Sequence, residues 1–226
     1  MITRLSSIPS SVRWSIAALV VVIALIVAIW PRDEGTDSGL SAGPPSAVDG
    51  APTPIDAGAL AAARTRAALA PCPSATAAPP ATAALRGVSA PCLGFPGTVD
   101  LGAALAGTPT LINFWAPWCL PCRRELPTIA AYAARAGTDV RVLAVQAREG
   151  SENPVLALDM LSDLGVRLPS VVDTESRIAA ALQAPRAYPV SILLRADGSV
   201  AKVLPTVFSD EQAVSNAVST YLGVAR

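Results

Sequence analysis

Histidine is absent from the 226 residues of this chain, and lysine occurs only once, at Lys202. The lack of histidine removes one of the two ligand types on which zinc sites most often depend. The 17 basic residues balance the 17 acidic ones, and no basic run with interleaved aromatic residues is present, so the sequence does not indicate nucleic-acid binding. Cysteine is also scarce, and the positions of the four cysteines carry most of the functional information.

Two of the cysteines form the pair Cys119-x-x-Cys122, where a run of strand residues gives way to a helical pattern. Two thiols at this spacing can close a small disulfide ring and reopen it. At a helix N-terminus, unpaired backbone N–H groups and the positive end of the helix dipole favour a thiolate. Cys119 precedes the helical pattern and is the predicted nucleophile, whereas Cys122 lies one turn further on and is placed to resolve a mixed disulfide.

A Cys-x-x-Cys pair is also half of a zinc site, which needs two further ligands. The remaining cysteines, Cys72 and Cys92, do not form a second tight pair, and each lies beside a proline. Redox chemistry is therefore the favoured interpretation, with no metal and no cofactor other than the disulfide itself. Cys72 and Cys92 are expected to form a structural disulfide. A second exchanging pair that passes electrons to Cys119 is the alternative.

An apolar run extends from Trp14 to Trp30, broken only by Ser15. It lies at the short end of the roughly 17 to 25 residues needed to span a bilayer. Its terminal tryptophans suit the membrane interfaces, and the basic residues ahead of it favour a cytoplasmic N-terminus. The sequence thus predicts a single-pass anchor in the cytoplasmic membrane, with the later residues outside. A cleaved signal peptide is the alternative, although the residues after the run make a poor cleavage site.

Composition divides the rest of the chain. Small, polar and proline residues after the apolar run predict a flexible tether. An alanine- and proline-rich stretch follows, with a short helix predicted to start at Asp56. The predicted organisation is a cytoplasmic N-terminus at 1–13, an anchor at 14–30, a linker at 31–55, an arm with Cys72 and Cys92 at 56–97, and a compact domain at 98–226.

From Thr98 onward the hydrophobic periodicity is typical of an α/β domain. The order of elements predicts a central mixed sheet flanked by helices, with parallel crossovers first and an antiparallel hairpin last. The predicted strands are Thr98–Leu101, Thr110–Trp115, Val140–Ala147, Ser170–Val172, Val190–Leu194 and Ser199–Leu204. The predicted helices are Cys119–Ala136, Asn153–Leu164, Glu175–Gln183 and one from Ser209 to about Leu222.

The segment from Leu111 to Pro127 carries the pattern Asn-Phe-Trp-Ala-x-Trp-Cys-x-Pro-Cys-Arg-x-Glu-x-Pro. It resembles the active-site segment of thioredoxin-fold proteins, and more narrowly that of the membrane-anchored TlpA/ResA-like thiol-disulfide oxidoreductases, over roughly residues 92–223. The resemblance implies a thioredoxin-like fold and dithiol–disulfide exchange outside the cytoplasmic membrane. It further implies a reductant that receives electrons from a CcdA/DsbD-type membrane protein and reduces apocytochrome c or other exported proteins.

By position in this resemblance, Cys119 is the attacking thiol, Cys122 is the resolving thiol, and Pro121 shapes the turn between them. Trp118 is expected to offer an apolar platform to a substrate peptide. Trp115 is expected to join it there, with an ordinary place in the core as the alternative.

Tyr188-Pro189 matches the loop in which the family carries a cis-proline opposite the cysteines. This inference rests on the place of Pro189 in the family pattern and not on general propensity, since only about one X-Pro bond in twenty is cis. The loop is expected to present a backbone edge with which substrate pairs as a short strand. The bulk of Tyr188 is expected to narrow the substrate groove.

Glu125 matches an acidic residue that follows the cysteine pair in the ResA-like branch and is a candidate proton carrier there. It lies three residues beyond Cys122 on the same helix face, and partial burial would raise its pKa as that role requires. An exposed Glu125 paired with Arg123 or Arg124 is the alternative. Asn113 stands where cytoplasmic thioredoxins carry a buried Asp. Because Asn113 cannot accept a proton, Glu125 becomes more important as the candidate proton carrier.

Three other functions stay open at this point. A peroxide-reducing redoxin shares the fold, a disulfide oxidase would run the same exchange in the opposite direction, and a non-catalytic thioredoxin-like module would only bind proteins. The expected partners are thiols or disulfides of exported proteins, a membrane electron donor and the membrane itself, but no nucleic acid.

Overall fold

The structure, a computed structural model, describes residue 16 and residues 19–26, 55–75 and 77–224. Its strands are β1 (Ser89–Pro91), β2 (Thr98–Asp100), β3 (Thr110–Trp115), β4 (Arg141–Gln146), β5 (Ser170–Val172), β6 (Val190–Leu194) and β7 (Val200–Leu204). The helices that follow residue 55 are α1 (Ala57–Ala67), α2 (Leu101–Ala104), α3 (Leu120–Ala136), α4 (Pro154–Asp163), α5 (Arg177–Ala181) and α6 (Glu211–Leu222).

Five strands form a mixed sheet in the order β5-β4-β3-β6-β7. β3 pairs in parallel with β4, which pairs in parallel with β5, whereas β6 is antiparallel to both β3 and β7. The predicted α/β architecture, with crossovers first and a hairpin last, is confirmed. β3 lies at the centre of the sheet, and all of its residues are buried. The chain therefore leaves the middle of the sheet just before it reaches the cysteine pair.

Successive residues of β3 face two different parts of the core, because side chains alternate across a strand. Leu111 and Trp115 pack in the cluster that also holds residues of α1, α3, α4 and α6. Ile112 and Phe114 pack on the opposite face with residues of α2 and α5. Asn113 has the same parity as Leu111 and Trp115, so the alternation places an amide on the face that α3 covers.

The segment that follows α1 is attached to the sheet edge at β5. Ala70 donates its N–H to the carbonyl of Arg167 at 2.8 Å, and Leu93 donates to the carbonyl of Ser170 at 2.8 Å. Leu69 and Leu93 are both buried in the same core cluster. The alanine- and proline-rich arm thus packs on the α/β domain by hydrogen bonds and apolar burial.

Cys72 and Cys92 form a disulfide, as the sequence predicts. The bridge closes a loop with a sequence separation of 20. Replacing both cysteines with serine is expected to lower the free energy of unfolding by about 3 kcal/mol, because the unfolded chain regains the freedom that the cross-link removes. Urea unfolding of wild type and variant measures this difference. A variant that keeps its stability but loses disulfide exchange would instead favour a second exchanging pair.

Several short features differ from the sequence pattern. The last helix begins at Glu211 and not at the predicted Ser209. Asp210 is its N-cap, because the Asp210 carboxylate accepts the N–H of Ala213 at 2.8 Å. α5 is shorter than predicted, since Ser176 and Gln183 adopt φ values of 57° and 52° on either side of it. The pattern gives no indication of β1 or α2, which have three and four residues and are too short to show a period.

The predicted membrane anchor at 14–30 is wrong. Within the part of the chain that the structure describes, no helix is both long and apolar enough to cross a bilayer. The predicted single-pass location in the cytoplasmic membrane is contradicted with it. The rest of the run, the N-terminus at 1–13 and nearly all of the linker lie outside the described residues.

Candidate active site

Cys119 and Cys122 form a disulfide at the start of α3. Cys119 is the N-cap of this helix, and its Sγ accepts the N–H of Cys122 at 3.2 Å. Pro121, in the first turn between them, suits a position where a helix needs no N–H donor. The N–H donor and the helix dipole would both stabilise a thiolate on Cys119.

The two sulfur-bearing residues differ in accessibility. Cys119 retains 3% of its surface exposed, whereas Cys122 is fully buried. An incoming molecule therefore meets Cys119 first, and Cys122 lies behind it in the first turn of α3. This arrangement fits the roles expected from the sequence, an attacking thiol at Cys119 and a resolving thiol at Cys122.

Glu125 is fully buried one turn beyond Cys122. Its Oε1 accepts the backbone N–H of Phe208 at 2.7 Å, and its Oε2 accepts Nδ2 of Asn113 at 2.9 Å. Burial raises the pKa of Glu125 above its ordinary value, and these two hydrogen bonds oppose the shift less strongly. The alternative of an exposed side chain paired with an arginine is thus excluded.

The Asn113 amide can form a hydrogen bond with Glu125 in either protonation state of the carboxyl group. Its Nδ2 donates to Glu125 and also to Oγ of Ser191 at 3.1 Å, while its buried Oδ1 has no hydrogen-bond partner. Rotation of the amide by about 180° would turn Oδ1 toward Glu125, where a protonated carboxyl group would donate to it. The site can therefore hold the carboxyl group in either state without leaving it unpaired.

An exposed aromatic surface lies next to the disulfide. Trp118 is 63% exposed, and its ring meets that of Tyr188 edge-on with the centroids 6.0 Å apart. Leu120, which is 61% exposed, adds apolar surface on the other side of Cys119 in the sequence. Trp115 is fully buried, so it belongs to the core and is not part of the predicted apolar platform for substrate. Edge-to-face rings and exposed apolar surface are features of protein-binding sites.

Tyr188 is held in place by a residue that the sequence does not single out. Its hydroxyl donates to Oε2 of Glu149 at 2.8 Å, and the backbone carbonyl of Glu149 accepts Nε1 of Trp118 at 3.0 Å. Burial, this hydrogen bond and the negative charge of Glu149 raise the pKa of Tyr188 to about 12, so its hydroxyl remains a donor. The Tyr188–Pro189 peptide bond is cis, as the resemblance implies.

The loop that carries Glu149 is packed directly against Trp118. Gly150 has a φ of 106°, and a Cβ at this position would lie 2.9 Å from Cδ of Pro117 and 3.4 Å from the Trp118 ring. Its carbonyl accepts Nε2 of Gln146 at 2.7 Å, which ties the loop back to the end of β4. Only glycine fits this close approach, and the loop thereby supports both aromatic rings. No local sequence signal marks Glu149, which lies 39 residues before Tyr188 in the chain.

Comparison with known proteins agrees with this geometry. The family model described as Redoxin matches residues 74–220. Among curated proteins, the chain is 30% identical over 101 residues to the thiol-disulfide oxidoreductase ResA of Bacillus subtilis, covering 44% of this chain and 54% of that protein. It is 33% identical over 98 residues to the thiol:disulfide interchange protein CycY of Rhizobium leguminosarum, covering 43% and 50%. The chain thus spans about half the length of these curated relatives.

Solved structures show the same fold. A DsbF homologue from Corynebacterium diphtheriae aligns with a TM-score of 0.52 and 25% identity, covering 59% of this chain and 83% of that one. A secreted disulfide oxidoreductase of Mycobacterium tuberculosis aligns with a TM-score of 0.51 and 24% identity, covering 61% and 97%. The fold is thioredoxin-like, a mixed sheet flanked by helices, as predicted.

Proposed function

This chain belongs to the redoxin family, and we propose that it acts as a protein-disulfide reductase through Cys119 and Cys122. One observation carries the proposal: Cys119, which keeps a small exposed area, caps a helix that also holds a fully buried partner cysteine and a buried carboxyl group. The names of the relatives, which are thiol-disulfide oxidoreductases, support the same class of reaction.

In the first step, the Cys119 thiolate attacks one sulfur of a substrate disulfide. A bond forms between Cys119 and that sulfur, and the substrate disulfide breaks, releasing its second sulfur as a thiolate that takes up a proton. The N–H of Cys122 and the N-terminus of α3 keep Cys119 in the reactive thiolate form. Trp118 and the backbone beside Tyr188 and Pro189 hold the substrate chain during this step.

In the second step, the Cys122 thiol gives up its proton and attacks the sulfur of Cys119. The mixed disulfide breaks, the reduced substrate leaves as a thiolate, and Cys119 and Cys122 close their disulfide. The substrate has then gained two electrons and the protein has lost two. Glu125 is the proposed acceptor of the Cys122 proton, since it lies one turn away, is buried and has a raised pKa. No cofactor is needed, because electrons pass only between sulfur atoms.

The structure holds the oxidised form, so a donor must reduce it again before the next turnover. A dithiol protein of the CcdA/DsbD type is the donor that the resemblance suggests. Apocytochrome c and other proteins with oxidised cysteine pairs are the substrates that it suggests. These finer assignments rest on the resemblance and on no contact within the chain.

The insulin-reduction assay tests the proposed function. The reduced protein is expected to reduce insulin disulfides with one disulfide formed in the protein for each one opened in insulin. The reduction potential of the Cys119–Cys122 pair, measured by equilibration with glutathione, is expected to be more reducing than that of glutathione. A strongly oxidising potential would assign a disulfide oxidase. Consumption of hydrogen peroxide with no insulin reduction would indicate a peroxide-reducing redoxin. No reaction with either substrate would indicate a non-catalytic protein-binding module.

A further inference from the structure

The segment between β7 and α6, residues 205–208, meets the buried carboxyl group of Glu125 at one point. Residues 205–207 are exposed, whereas Phe208 is buried and packs in the core cluster that also holds Cys122. The backbone N–H of Phe208 donates to Oε1 of Glu125 at 2.7 Å. Phe208 is therefore the residue through which this exposed segment reaches the carboxyl group.

The backbone of this segment is weakly attached to the rest of the domain. Within the described residues, the bond from the Phe208 N–H to Glu125 is the only hydrogen bond of the 205–208 backbone. The helix that follows, α6, packs on the core through Val214 and Val218. A segment with exposed residues and few backbone hydrogen bonds opens locally at a lower cost in free energy than a core element. Residues 205–208 can thus open while β7 and α6 stay in place.

The proposed reaction leaves a proton on Glu125. The resolving step transfers this proton from Cys122 to a carboxyl group that is fully buried and whose partners are Asn113 and Phe208. The Asn113 amide cannot take up a proton, and it is buried together with Ser191, to which it also donates. Of the two partners of the carboxyl group, only Phe208 adjoins exposed residues. Water therefore reaches the carboxyl group most directly where the segment opens.

We propose that Phe208 is a latch over Glu125: when closed it positions the carboxyl group and keeps it dry, and when open it lets Glu125 release its proton to water. This inference rests on the proposed function, in which Glu125 takes up the proton of Cys122. Phe208 is a positioning residue, since it acts on the reaction through Glu125. In the release step the carboxylic acid gives its proton to water and becomes a carboxylate, whose Oε1 again accepts the Phe208 N–H.

The closed latch has two opposing effects on the pKa of Glu125. Burial raises this pKa, and the hydrogen bond from the Phe208 N–H lowers it by a smaller amount. Water admitted by an open latch restores hydration of the carboxylate and donates to Oε1 in place of the N–H. Loss of the latch therefore removes the larger effect and lowers the pKa of Glu125 toward the ordinary value of a glutamate.

Other titratable groups on the neighbouring elements do not account for the shift. Arg135 on α3 and Glu211 on α6 pair with each other at 2.6 Å. Tyr132 is buried two turns beyond Glu125 on α3, and the active-site disulfide does not titrate. None of these groups is among the causes that set the pKa of Glu125, so a change at Phe208 acts on it through hydration and hydrogen bonding.

Three variants separate the latch from ordinary packing. Phe208→Ala removes the ring that anchors the segment, whereas Phe208→Leu keeps a large apolar side chain in the core. Val218→Ala is the matched control, because it removes apolar volume from the same core cluster at a residue that is not a partner of the Glu125 carboxyl group. Both alanine variants are expected to be less stable than the wild type, since each leaves a cavity in the core.

The pKa of Glu125 is measured by carbon-13 NMR of its carboxyl group in the oxidised full chain from about pH 4 to 9, and Glu125→Gln identifies the signal. The pKa is expected to fall by about one pH unit in Phe208→Ala and to keep its wild-type value in Phe208→Leu and Val218→Ala. The rate at which the mixed disulfide decays is measured over the same pH range. Its midpoint is expected to fall by the same amount in Phe208→Ala alone.

Hydrogen exchange of the wild type tests the opening without any variant. The Phe208 N–H is expected to exchange at least about tenfold faster than the N–H of Ile129, which is buried within α3. Exchange of the Phe208 N–H only on global unfolding would overturn the latch. So would an unchanged or raised Glu125 pKa in Phe208→Ala, or an equal fall in Val218→Ala. If the pKa fell in Phe208→Ala alone and the decay of the mixed disulfide kept its pH profile, the latch would stand and Glu125 would not be the proton acceptor of the proposed function.

Discussion

Replacement of Cys119 by serine is expected to lower the rate of insulin reduction by about a thousandfold or more. A serine hydroxyl stays protonated at neutral pH, so the N–H of Cys122 and the N-terminus of α3 have no thiolate to stabilise. The fold should not change, because a hydroxyl group at the N-cap accepts the same N–H. Turnover is measured with insulin and with DTNB, a small aromatic disulfide, and folding is measured by circular dichroism.

Cys122→Ser is the matched control for this prediction. Cys119 remains able to attack in this variant, but no thiol resolves the product, so a covalent adduct with the substrate should accumulate. Mass spectrometry of the protein after incubation with a disulfide-linked peptide detects the adduct. If Cys119→Ser formed the adduct and Cys122→Ser did not, the two cysteines would have exchanged roles. Ordinary alkylation kinetics at Cys119, with no acidic titration, would contradict the activated thiolate.

Replacement of Glu125 by glutamine is expected to slow the resolving step by about a hundredfold, because Cys122 loses its proton acceptor. The effect should appear in the decay of the mixed disulfide and not in its formation, since Cys119 relies on the helix N-terminus instead. Rapid-mixing measurements with a chromogenic disulfide separate the two steps. The decay rate of the wild type is expected to rise with pH as Glu125 loses its proton, and Glu125→Gln should remove this dependence.

Stability gives a second measure of the same carboxyl group. Burial raises the pKa of Glu125, so the folded protein binds this proton more tightly than the unfolded chain does. The contribution of Glu125 to stability is therefore fully present below the ordinary glutamate range and is lost as pH rises through the folded pKa. Thermal unfolding from pH 4 to 8 should show this decline in the wild type and a smaller one in Glu125→Gln.

Glu175→Gln is the matched control, because Glu175 is an exposed glutamate in a surface ion pair with Arg177. A surface pair contributes little to stability, so this variant should keep both the pH profile and the resolving rate of the wild type. If Glu175→Gln and Glu125→Gln lowered the resolving rate equally, the loss of one negative charge, and not the position of Glu125, would explain the effect. An unchanged resolving rate in Glu125→Gln would remove Glu125 from the reaction.

Local sequence patterns were sufficient to predict most of the strands and the helix around the disulfide. β3, β5 and β6 have the predicted bounds, because continuous runs of apolar and β-branched residues indicate buried strands. The helix after Cys119 ends at Ala136, as its hydrophobic period predicts. The apolar run at the start of the chain shows the limit of the same reasoning. A hydropathy pattern indicates only that a segment is apolar, and the predicted anchor was contradicted.

The sequence by itself determined the central strand, the helix that follows it and the cysteine pair between them. These features depend on residues within a few positions of each other, and their signals are therefore local. Only the tertiary structure decided which side chains surround that pair. Glu125 meets Phe208 across 83 positions, and Tyr188 meets Glu149 across 39. Contacts at such separations follow from strand order and helix packing, so neither the burial that raises the Glu125 pKa nor the hydrogen bond between Tyr188 and Glu149 can be predicted from local sequence.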